Sequence, residues 1–249
     1  MNLLGKIILC LALMATTAWS AITTDGTDDL ATCGTADDIT ENGALSFCTW
    51  YYATSTVDGN DRLWHKTTSA PAESMLFYLS GTGSRSPSFQ VNGGTNLLRI
   101  SAVNTITPDT WEHICLTWDG STTAANVKMY KNGTEVSYGT TTNGATPTDN
   151  NGGILYLFNS ADALRSWKGR LSDYYFFTRV ITAQEIAILS QSRVKGVGLQ
   201  FSPTRYYPFN EQSDGVASNV TYRDYGSTAE NCTGSNTPTG LGEQILSYP

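Results

Sequence analysis

The chain has 249 residues, of which 22 are acidic and 15 are basic, giving a formal net charge of −7. The basic residues are scattered singly, so the sequence lacks the cationic patch that nucleic acid requires, and we exclude nucleic-acid binding. Hydrophobic residues make up 40% of the chain and charged residues only 15%, a composition that supplies a core and is typical of turn-rich secreted β-proteins.

Residues 1–21 are predicted to be a signal peptide. Lys6 carries a positive charge, residues 7–15 form a short apolar core, and Ala18-Trp19-Ser20 is a small-x-small cleavage signal. The alternative, an uncleaved membrane anchor, needs about 20 consecutive apolar residues, and this core is far shorter. We therefore expect a secreted, extracellular protein that is not inserted in a membrane after cleavage.

Strand-like runs bounded by Gly, Pro, Asn and Asp follow from residue 45 onward. Their regular spacing indicates an antiparallel sandwich rather than strands that alternate with helices. The runs are 45–52, 62–65, 75–80, 88–91, 97–100, 113–118, 127–130, 154–158 and 170–177. The clearest is WEHICLTWDG at residues 111–120, which alternates apolar and polar side chains and ends in a tight Asp-Gly turn. Asn132-Gly133 marks the next hairpin turn.

One helix is predicted after these strands, at residues 182–189. Thr182 is a good N-cap and Glu185, three residues later, is its capping-box partner. Ile186 and Leu189 form an apolar face that would press against the edge of a sheet. Beyond residue 193 the chain is mostly turn residues, with one more strand-like run at 205–209.

Four cysteines remain once the signal peptide is removed, namely Cys33, Cys48, Cys115 and Cys232. An even number in an oxidising compartment predicts two disulfides, and three connectivities are open. Metal binding by these cysteines is disfavoured because the sequence has no Cys-x-x-Cys pair and only two histidines.

Together these segments resemble the laminin-G-like and pentraxin-like domains of the concanavalin A-like jelly rolls. Five motifs follow one another in the family's order: DGTDDL at 25–30, ALSFCTWYY at 44–52, DTWEHICLTWDG at 109–120, KMYKNG at 128–133, and GRLSDYYFF at 169–177 followed by the helix. The resemblance implies an all-β fold, a two-sheet antiparallel jelly-roll sandwich with one short helix near the end of the domain. The predicted units are the signal peptide (1–21), a jelly roll (22–193) and a C-terminal tail (194–249).

The resemblance also implies how the cysteines and the tail are arranged. Pentraxin-like members have a disulfide between the two strands that here contain Cys48 and Cys115, which leaves Cys33 and Cys232 as the other pair. Many relatives begin with a tyrosine-rich strand and loop that resemble residues 206–210 and 224–234 of the tail. We predict that the tail returns this strand to the jelly roll. The alternatives are a truncated second repeat, a loosely ordered tail, or a strand that completes a neighbouring subunit.

Relatives often hold Ca²⁺ at the rim of the sandwich through carboxylate, amide and backbone oxygens, so the resemblance implies a calcium site. The candidate ligands are Asp28, Asp58, Asn60, Asp61, Asp162 and Asp173. Asp162 matches a calcium-binding position of pentraxin-like proteins. Ser160 and Ala161, however, replace the acidic or amide residues expected just before it, which argues against a pentraxin-type double site.

A glycan-binding surface needs exposed aromatic rings beside polar side chains. The candidates are Trp64, Tyr138, Tyr156, Asn159 and Trp167, whereas Trp50, Trp111 and Trp118 lie in motif strands and are expected in the core. Catalysis is not expected: the sequence lacks the Glu-x-Asp-x-x-Glu pattern of jelly-roll hydrolases, and neither His65 nor His113 accompanies a nucleophile elbow.

The sequence therefore predicts a secreted, non-catalytic binding module that recognises a glycan or a surface protein through rim loops. The alternative is a structural subunit of an extracellular or virion-surface assembly. In that case the jelly roll and the C-terminal strand would make contacts between subunits.

Overall fold

The computed structural model describes residues 21–54, 60–68, 74–81, 85–147, 152–191, 193–211, 220–235 and 239–241. The strands formed by these residues are β1 (Ala21–Asp25), β2 (Leu30–Thr35), β3 (Leu45–Ala53), β4 (Arg62–Thr67), β5 (Met75–Ser80), β6 (Ser86–Val91), β7 (Leu97–Ser101), β8 (Trp111–Trp118), β9 (Lys128–Lys131), β10 (Thr134–Glu135), β11 (Tyr138–Thr142), β12 (Ile154–Leu157), β13 (Lys168–Phe177), β14 (Arg205–Tyr207), β15 (Thr221–Tyr222), β16 (Cys232–Ser235) and β17 (Thr239–Leu241). The helix α1 spans Ala183–Gln191, and two short 3-10 helices span Ala124–Asn126 and Val197–Phe201.

The strands form two antiparallel sheets. Sheet A has the order β10-β9-β8-β3-β13-β1-β17, with β14 also paired to β13, and sheet B has the order β11-β7-β6-β5-β4-β12-β2-β16-β15. The all-β jelly-roll sandwich expected from the sequence is confirmed. In the part of the chain that the structure describes, no helix has the length and apolar character needed to cross a membrane.

Aromatic rings from both sheets fill the space between them. The ring of Phe47 in sheet A lies 5.9 Å from that of Trp64 and 5.8 Å from that of Phe77, both in sheet B, measured between ring centroids. It also lies 4.9 Å from the ring of Tyr174 on the neighbouring strand β13. Such edge-to-face contacts add to the stabilisation from burial of apolar surface.

Helix α1 covers part of the outer face of sheet A. Its buried Ile186 and Leu189 pack in one cluster with Cys48 and Cys115, so the helix lies on the face of the sheet and not at its edge as predicted. The predicted capping box is confirmed: the Thr182 backbone N–H donates to the Glu185 carboxylate at 2.7 Å, and the Glu185 N–H donates to the Thr182 hydroxyl at 3.2 Å.

Two disulfides fix the sandwich, with the pairing that the resemblance implies. Cys48 and Cys115 face each other on the adjacent strands β3 and β8. The second bond joins Cys33 of β2 to Cys232 of β16, residues separated by 199 positions in the sequence.

The C-terminal tail forms strands in both sheets of its own chain. β14 pairs with β13 and β17 pairs with β1 in sheet A, while β16 pairs with β2 in sheet B. The predicted run at 205–209 shortens to β14, and three further strands follow where turn residues suggested none. The structure thus returns the tail to its own jelly roll. Of the predicted signal peptide, only Ala21 lies within the described residues, as the first residue of β1.

Buried Arg205 holds β14 against the opposite sheet. Its guanidinium pairs with the Asp38 carboxylate through two nitrogens, one of them Nε at 2.9 Å. It also donates to the backbone carbonyls of Cys33 at 3.3 Å and Thr35 at 3.2 Å. The tail is therefore tied to β2 by a charged side chain as well as by the Cys33–Cys232 bond.

Candidate functional site

Two of the predicted sugar-stacking residues, Trp64 and Trp167, are fully buried. Side chains alternate along a strand, and in β4 it is Trp64 that faces the core, where its ring lies 5.6 Å from that of Phe176. The ring of Trp167 lies 5.9 Å from that of Tyr51. Neither tryptophan can reach a ligand at the surface, so both site predictions are wrong.

Asn159, another predicted ligand contact, is also fully buried. Its amide nitrogen donates to the Asp29 carbonyl at 2.9 Å, and its amide oxygen accepts the backbone N–H groups of Ser160 and Arg165, both at 2.8 Å. Because these bonds engage both ends of the amide, Asn159 shapes the loop 160–165 and cannot bind a ligand directly. That prediction is wrong.

Tyr138 packs against the core. The Arg99 guanidinium lies 3.5 Å from its ring centroid. Its hydroxyl accepts the Met129 backbone N–H at 2.9 Å and donates to the Glu135 carboxylate at 3.1 Å. Burial raises the pKa of Tyr138 to about 12. Tyr138 is half-buried and one face of its ring lies against the Arg99 guanidinium, so its role as a sugar platform stays a prediction.

The remaining candidate aromatic residue, Tyr156, lies on the outer face of sheet B. Its neighbours in β12, Leu155 and Leu157, face the core, so Tyr156 faces outward. Strand register aligns it with one residue from each of the other eight strands. We call this set the outer row: Thr142, Leu98, Gln90, Leu76, His65, Tyr156, Thr32, Thr233 and Thr221.

Tyr156 is half-buried and stacks on His65, with ring centroids 5.0 Å apart and planes inclined by 9°. His65 is held at both nitrogens: Nδ1 lies 3.1 Å from the Asn159 carbonyl oxygen, and Nε2 accepts the Ala161 N–H at 3.3 Å. A carbonyl accepts only, so these partners assign the proton to Nδ1 and leave the ring neutral. The tyrosine ring therefore rests on a fixed support at the middle of the sheet.

A chain of polar side chains runs beside the outer row. The Arg62 guanidinium lies 4.8 Å from the ring centroid of Tyr78. The Tyr78 hydroxyl donates to the Gln90 amide oxygen at 3.5 Å, and the Gln90 amide nitrogen donates to the Asn92 amide oxygen at 2.5 Å. This face therefore combines aromatic rings with amide and guanidinium groups. The sequence analysis did not single out Tyr78 and Gln90, although both lie in predicted strands.

The loop 160–165 forms the rim next to His65. The Asp162 carboxylate accepts the Ser160 hydroxyl at 2.5 Å and the Leu164 N–H at 3.3 Å. The hydrogen bond from Ser160 is the main cause that lowers the pKa of Asp162. Leu164 is 74% exposed, so the loop presents an apolar side chain to solvent.

The structure brings the predicted calcium residues Asn60 and Asp61 close to this loop. The N–H of the next residue, Arg62, donates to the Arg165 carbonyl at 2.9 Å. Asp58 lies outside the described residues. Among the residues that are described, neither Asp61 nor Asp162 belongs to a group of three acidic, histidine or cysteine ligands.

Asp28, another calcium candidate, lies in such a group with Asp25 and Asp29, with ligand oxygens within 4.8 Å of one another. Carboxylate oxygens are the donors that Ca²⁺ takes, so this set fits the ion chemically. Burial raises the pKa of Asp29 to about 7, opposed by a 2.7 Å hydrogen bond from the Asp25 backbone N–H. The set would therefore bind a cation in competition with a proton.

Asp173 is satisfied by protein groups. The Tyr206 hydroxyl and the Ser172 hydroxyl each donate to its carboxylate at 2.7 Å, and the Lys195 ammonium lies 3.1 Å from it. Lys195 supplies the compensating positive charge, so the prediction that Asp173 serves a metal is wrong.

The buried group Cys48, His113 and Cys115 also has the geometry of a metal site. Both cysteines are oxidised to the disulfide and offer no thiolate. Burial lowers the pKa of His113 to about 3, so its imidazole is neutral. This group is structural.

Trp50 and Trp111, expected in the core, stand half-buried on the outer face of sheet A. The Arg193 guanidinium lies over both rings, 4.7 Å from the centroid of Trp50 and 5.3 Å from that of Trp111. These rings are partly covered by a cation. Trp118 is fully buried, as expected.

Solved structures share this fold at low sequence identity. A heptameric SAP-like pentraxin from Limulus polyphemus is 19% identical, with a TM-score of 0.52 over 71% of this chain and 83% of that one. A candidate carbohydrate-binding protein from Bacteroides ovatus is 14% identical, with a TM-score of 0.57 over 90% of this chain and 60% of that one. The CBM40 of a Ruminococcus gnavus sialidase, bound to sialyllactose, is 10% identical, with a TM-score of 0.51 over 68% of this chain and 96% of that one.

No curated protein sequence matches the chain. A family profile does match, over residues 25–187. This segment begins at the DGTDDL motif, contains both strands of the Cys48–Cys115 bond and ends within α1. By this match the chain belongs to the concanavalin A-like lectin/glucanases superfamily.

Proposed function

We propose that the protein is a secreted, non-catalytic carbohydrate-binding module whose ligand lies on the outer face of sheet B. The observation that carries this proposal is the Tyr156–His65 stack, a half-buried aromatic ring held on a fixed support in the middle of a sheet face. An aromatic face packs against the C–H groups of a sugar ring, while neighbouring polar groups bond its hydroxyls.

The polar groups beside the stack suit this role. The half-buried Gln90 lies on the same face two strands from His65 in the sheet order, and the buried Tyr78 lies one strand from it. The Gln90 amide is held from its other end by the 2.5 Å hydrogen bond to Asn92 before a ligand arrives, which reduces the entropy lost on binding. A glycan is therefore favoured over a large protein surface, whose contact would require an apolar centre.

Binding without hydrolysis is supported by the composition of the outer row. Glycosidases need a pair of carboxyl groups flanking the scissile bond, and none of the nine residues of the row is acidic. The described residues Glu41 and Glu112 are buried beside the ammonium groups of Lys66 and Lys131. The superfamily includes both lectins and glucanases, so family membership does not decide between binding and hydrolysis, and the argument must come from the site.

The names of the structural neighbours are consistent with the proposal. Two of them are a candidate carbohydrate-binding protein and a CBM40 bound to sialyllactose. At their low identities the likeness supports only the fold, so the proposal depends on the Tyr156 face. Secretion rests on the predicted signal peptide and the two disulfides. Amino-terminal sequencing of the protein from culture medium should begin at Ala21 or Ile22, and recovery of intact Met1 would contradict it.

The binding face is tested with a glycan array followed by titration of the best ligand. Replacing Tyr156 with alanine should weaken binding at least tenfold, since loss of one well-packed aromatic contact removes about 1.4 kcal/mol or more. Tyr52→Ala is the matched control, because Tyr52 is a half-buried tyrosine on the outer face of the other sheet. Equal loss in both variants, or an array that stays silent with calcium present, would refute the proposal.

A further inference from the structure

We propose that the C-terminal tail extends this binding face, so that the ligand is an internal segment of a neutral, linear polysaccharide rather than a single terminal sugar. The inference rests on the proposed function, because it assumes that Tyr156 contacts the glycan. It adds a second contact region, built by residues that lie beyond the family match, which ends at residue 187.

A ladder of three threonines connects the Tyr156 stack to the tail. Register places Thr32 beside Tyr156, Thr233 beside Thr32, and Thr221 beside Thr233. Thr32 is half-buried, and Thr233 and Thr221 are exposed. Their sequence neighbours Cys33, Cys232 and Tyr222 face the core, so by alternation the threonines face outward with Tyr156. Each hydroxyl both donates and accepts, which is the pattern that sugar hydroxyls require.

A cavity of about 430 Å³ lies at the end of this ladder, lined by Asn210, Glu211, Val220, Thr221, Arg223 and Tyr225. This volume is within the range of small-molecule sites. The cavity is open and mostly polar, which suits a hydrated, hydroxyl-bearing ligand more than an apolar one. Tyr225 contributes an aromatic side chain that is 47% exposed.

The cavity is held in shape by Glu211. Its carboxylate accepts the backbone N–H of Asn210 and the backbone N–H of Arg223, both at 3.0 Å, and so joins the two walls. The guanidinium of Arg223 and the carboxylate of Glu211 are the charges of the lining, and they cancel. Because the two charges cancel, the lining gives an acidic sugar no net attraction, and a neutral sugar fits this balance.

Distance determines the kind of ligand. From β12, which contains Tyr156, to β15, which contains Thr221, the sheet order advances by three strands. At about 4.8 Å per strand this separation is about 14 Å, more than one sugar ring spans. A chain that contacts both Tyr156 and Tyr225 must therefore cross the threonine ladder with several residues. When one polysaccharide chain makes both contacts, its overall affinity for the protein increases even though neither contact is stronger by itself.

The test measures affinity against chain length by calorimetry. The probes are neutral oligosaccharides of β-glucan, xylan and mannan, from disaccharide to octasaccharide, together with the parent polysaccharides. For the series that binds, we expect wild-type affinity to rise at least tenfold between disaccharide and octasaccharide. Tyr225→Ala should abolish that rise and leave disaccharide affinity unchanged, whereas Tyr156→Ala should weaken both.

A conservative pair of variants controls for loss of structure. Thr221→Val keeps the shape of an exposed β-branched residue and removes one hydroxyl, so it should lower only the affinity for long chains. Thr142→Val makes the same change at the opposite end of the outer row and should have no effect. Equal affinity for short and long chains, or an unchanged octasaccharide affinity in Tyr225→Ala, would overturn the inference while the proposed function stands. A wild-type protein that binds none of the probes would overturn both.

Discussion

The ion pair between Arg205 and Asp38 should contribute more to stability than the exposed ion pairs among the described residues. The Arg205 side chain is 1% exposed and bonds the Asp38 carboxylate together with the carbonyls of Cys33 and Thr35. Arg205→Met keeps much of the side-chain volume and removes every one of these donors. The Asp38 carboxylate then loses its charged partner, and two carbonyl oxygens each lose a hydrogen bond.

Removing one partner of a buried pair costs roughly 3–5 kcal/mol. Because the Asp38 side chain remains 18% exposed and keeps some water, we expect a value near the lower end, about 3 kcal/mol. The control is Arg179→Met. Arg179 also holds a carboxylate through two nitrogens, that of Glu185, but its side chain is 43% exposed. An exposed pair contributes at most about 1 kcal/mol.

Urea denaturation measures the free energy of unfolding of both variants, with the same dependence on urea concentration used for each. Hydrogen exchange should also rise in β14 and β16 for Arg205→Met, since this residue ties the tail to β2. If the two variants lose the same free energy within about 1 kcal/mol, the buried pair does not carry the tail and the reasoning is refuted.

Three further predictions concern stability. The pKa of Asp29 is raised from 3.8 to about 7 in the fold, so its contribution to stability is present below pH 4 and is lost as the pH rises through 7. One pKa unit corresponds to about 1.4 kcal/mol, and because solvent screens this partly hydrated site we expect a loss of about 2 kcal/mol. In Asp29→Asn the free energy of unfolding should change less between pH 4 and pH 7 than it does in the wild type. The same pH dependence in both proteins would contradict a raised pKa for Asp29. Cys33→Ser with Cys232→Ser should cost roughly 2–5 kcal/mol and expose the tail to proteolysis, which peptide mapping detects; a protected tail would refute its dependence on the bond. Calcium at a hundredfold excess over its Kd should stabilise the wild type by about 2.7 kcal/mol and so raise its melting temperature, with no such rise in Asp28→Asn. Identical melting temperatures of the wild type in calcium and in chelator would remove this candidate ion.

Much of the scaffold is predictable because it depends on local patterns. The run 111–120 alternates apolar and polar side chains and ends in Asp-Gly, and it forms β8 followed by a turn with Gly120 at a φ of 83°. Thr182 and Glu185 form their capping box because the two groups lie within one helical turn of each other. These features involve residues that are neighbours in sequence.

The candidate site was less predictable, because alternating side chains divide a strand into two sets and the pattern alone does not show which set faces the core. In Trp64-His65 the sequence shows that neighbouring side chains point to opposite faces, but it does not show which one enters the core. Trp64 enters the core between the sheets, and His65, which is itself buried, lies on the other side of sheet B against Tyr156. Trp50 and Trp111 show the opposite outcome, since both stand on the outer face of sheet A beneath Arg193.

Nine strands between residues 45 and 177, the capped helix and the family could be predicted from the sequence, because each depends on short-range periodicity or on motifs in a fixed order. Only the folded chain shows that Thr32 lies beside Thr233 and that the tail forms a cavity lined by Thr221, the last residue of the threonine ladder. Those positions follow from strand register. Register is selected by packing the whole core between two sheets, and that packing couples residues about two hundred positions apart.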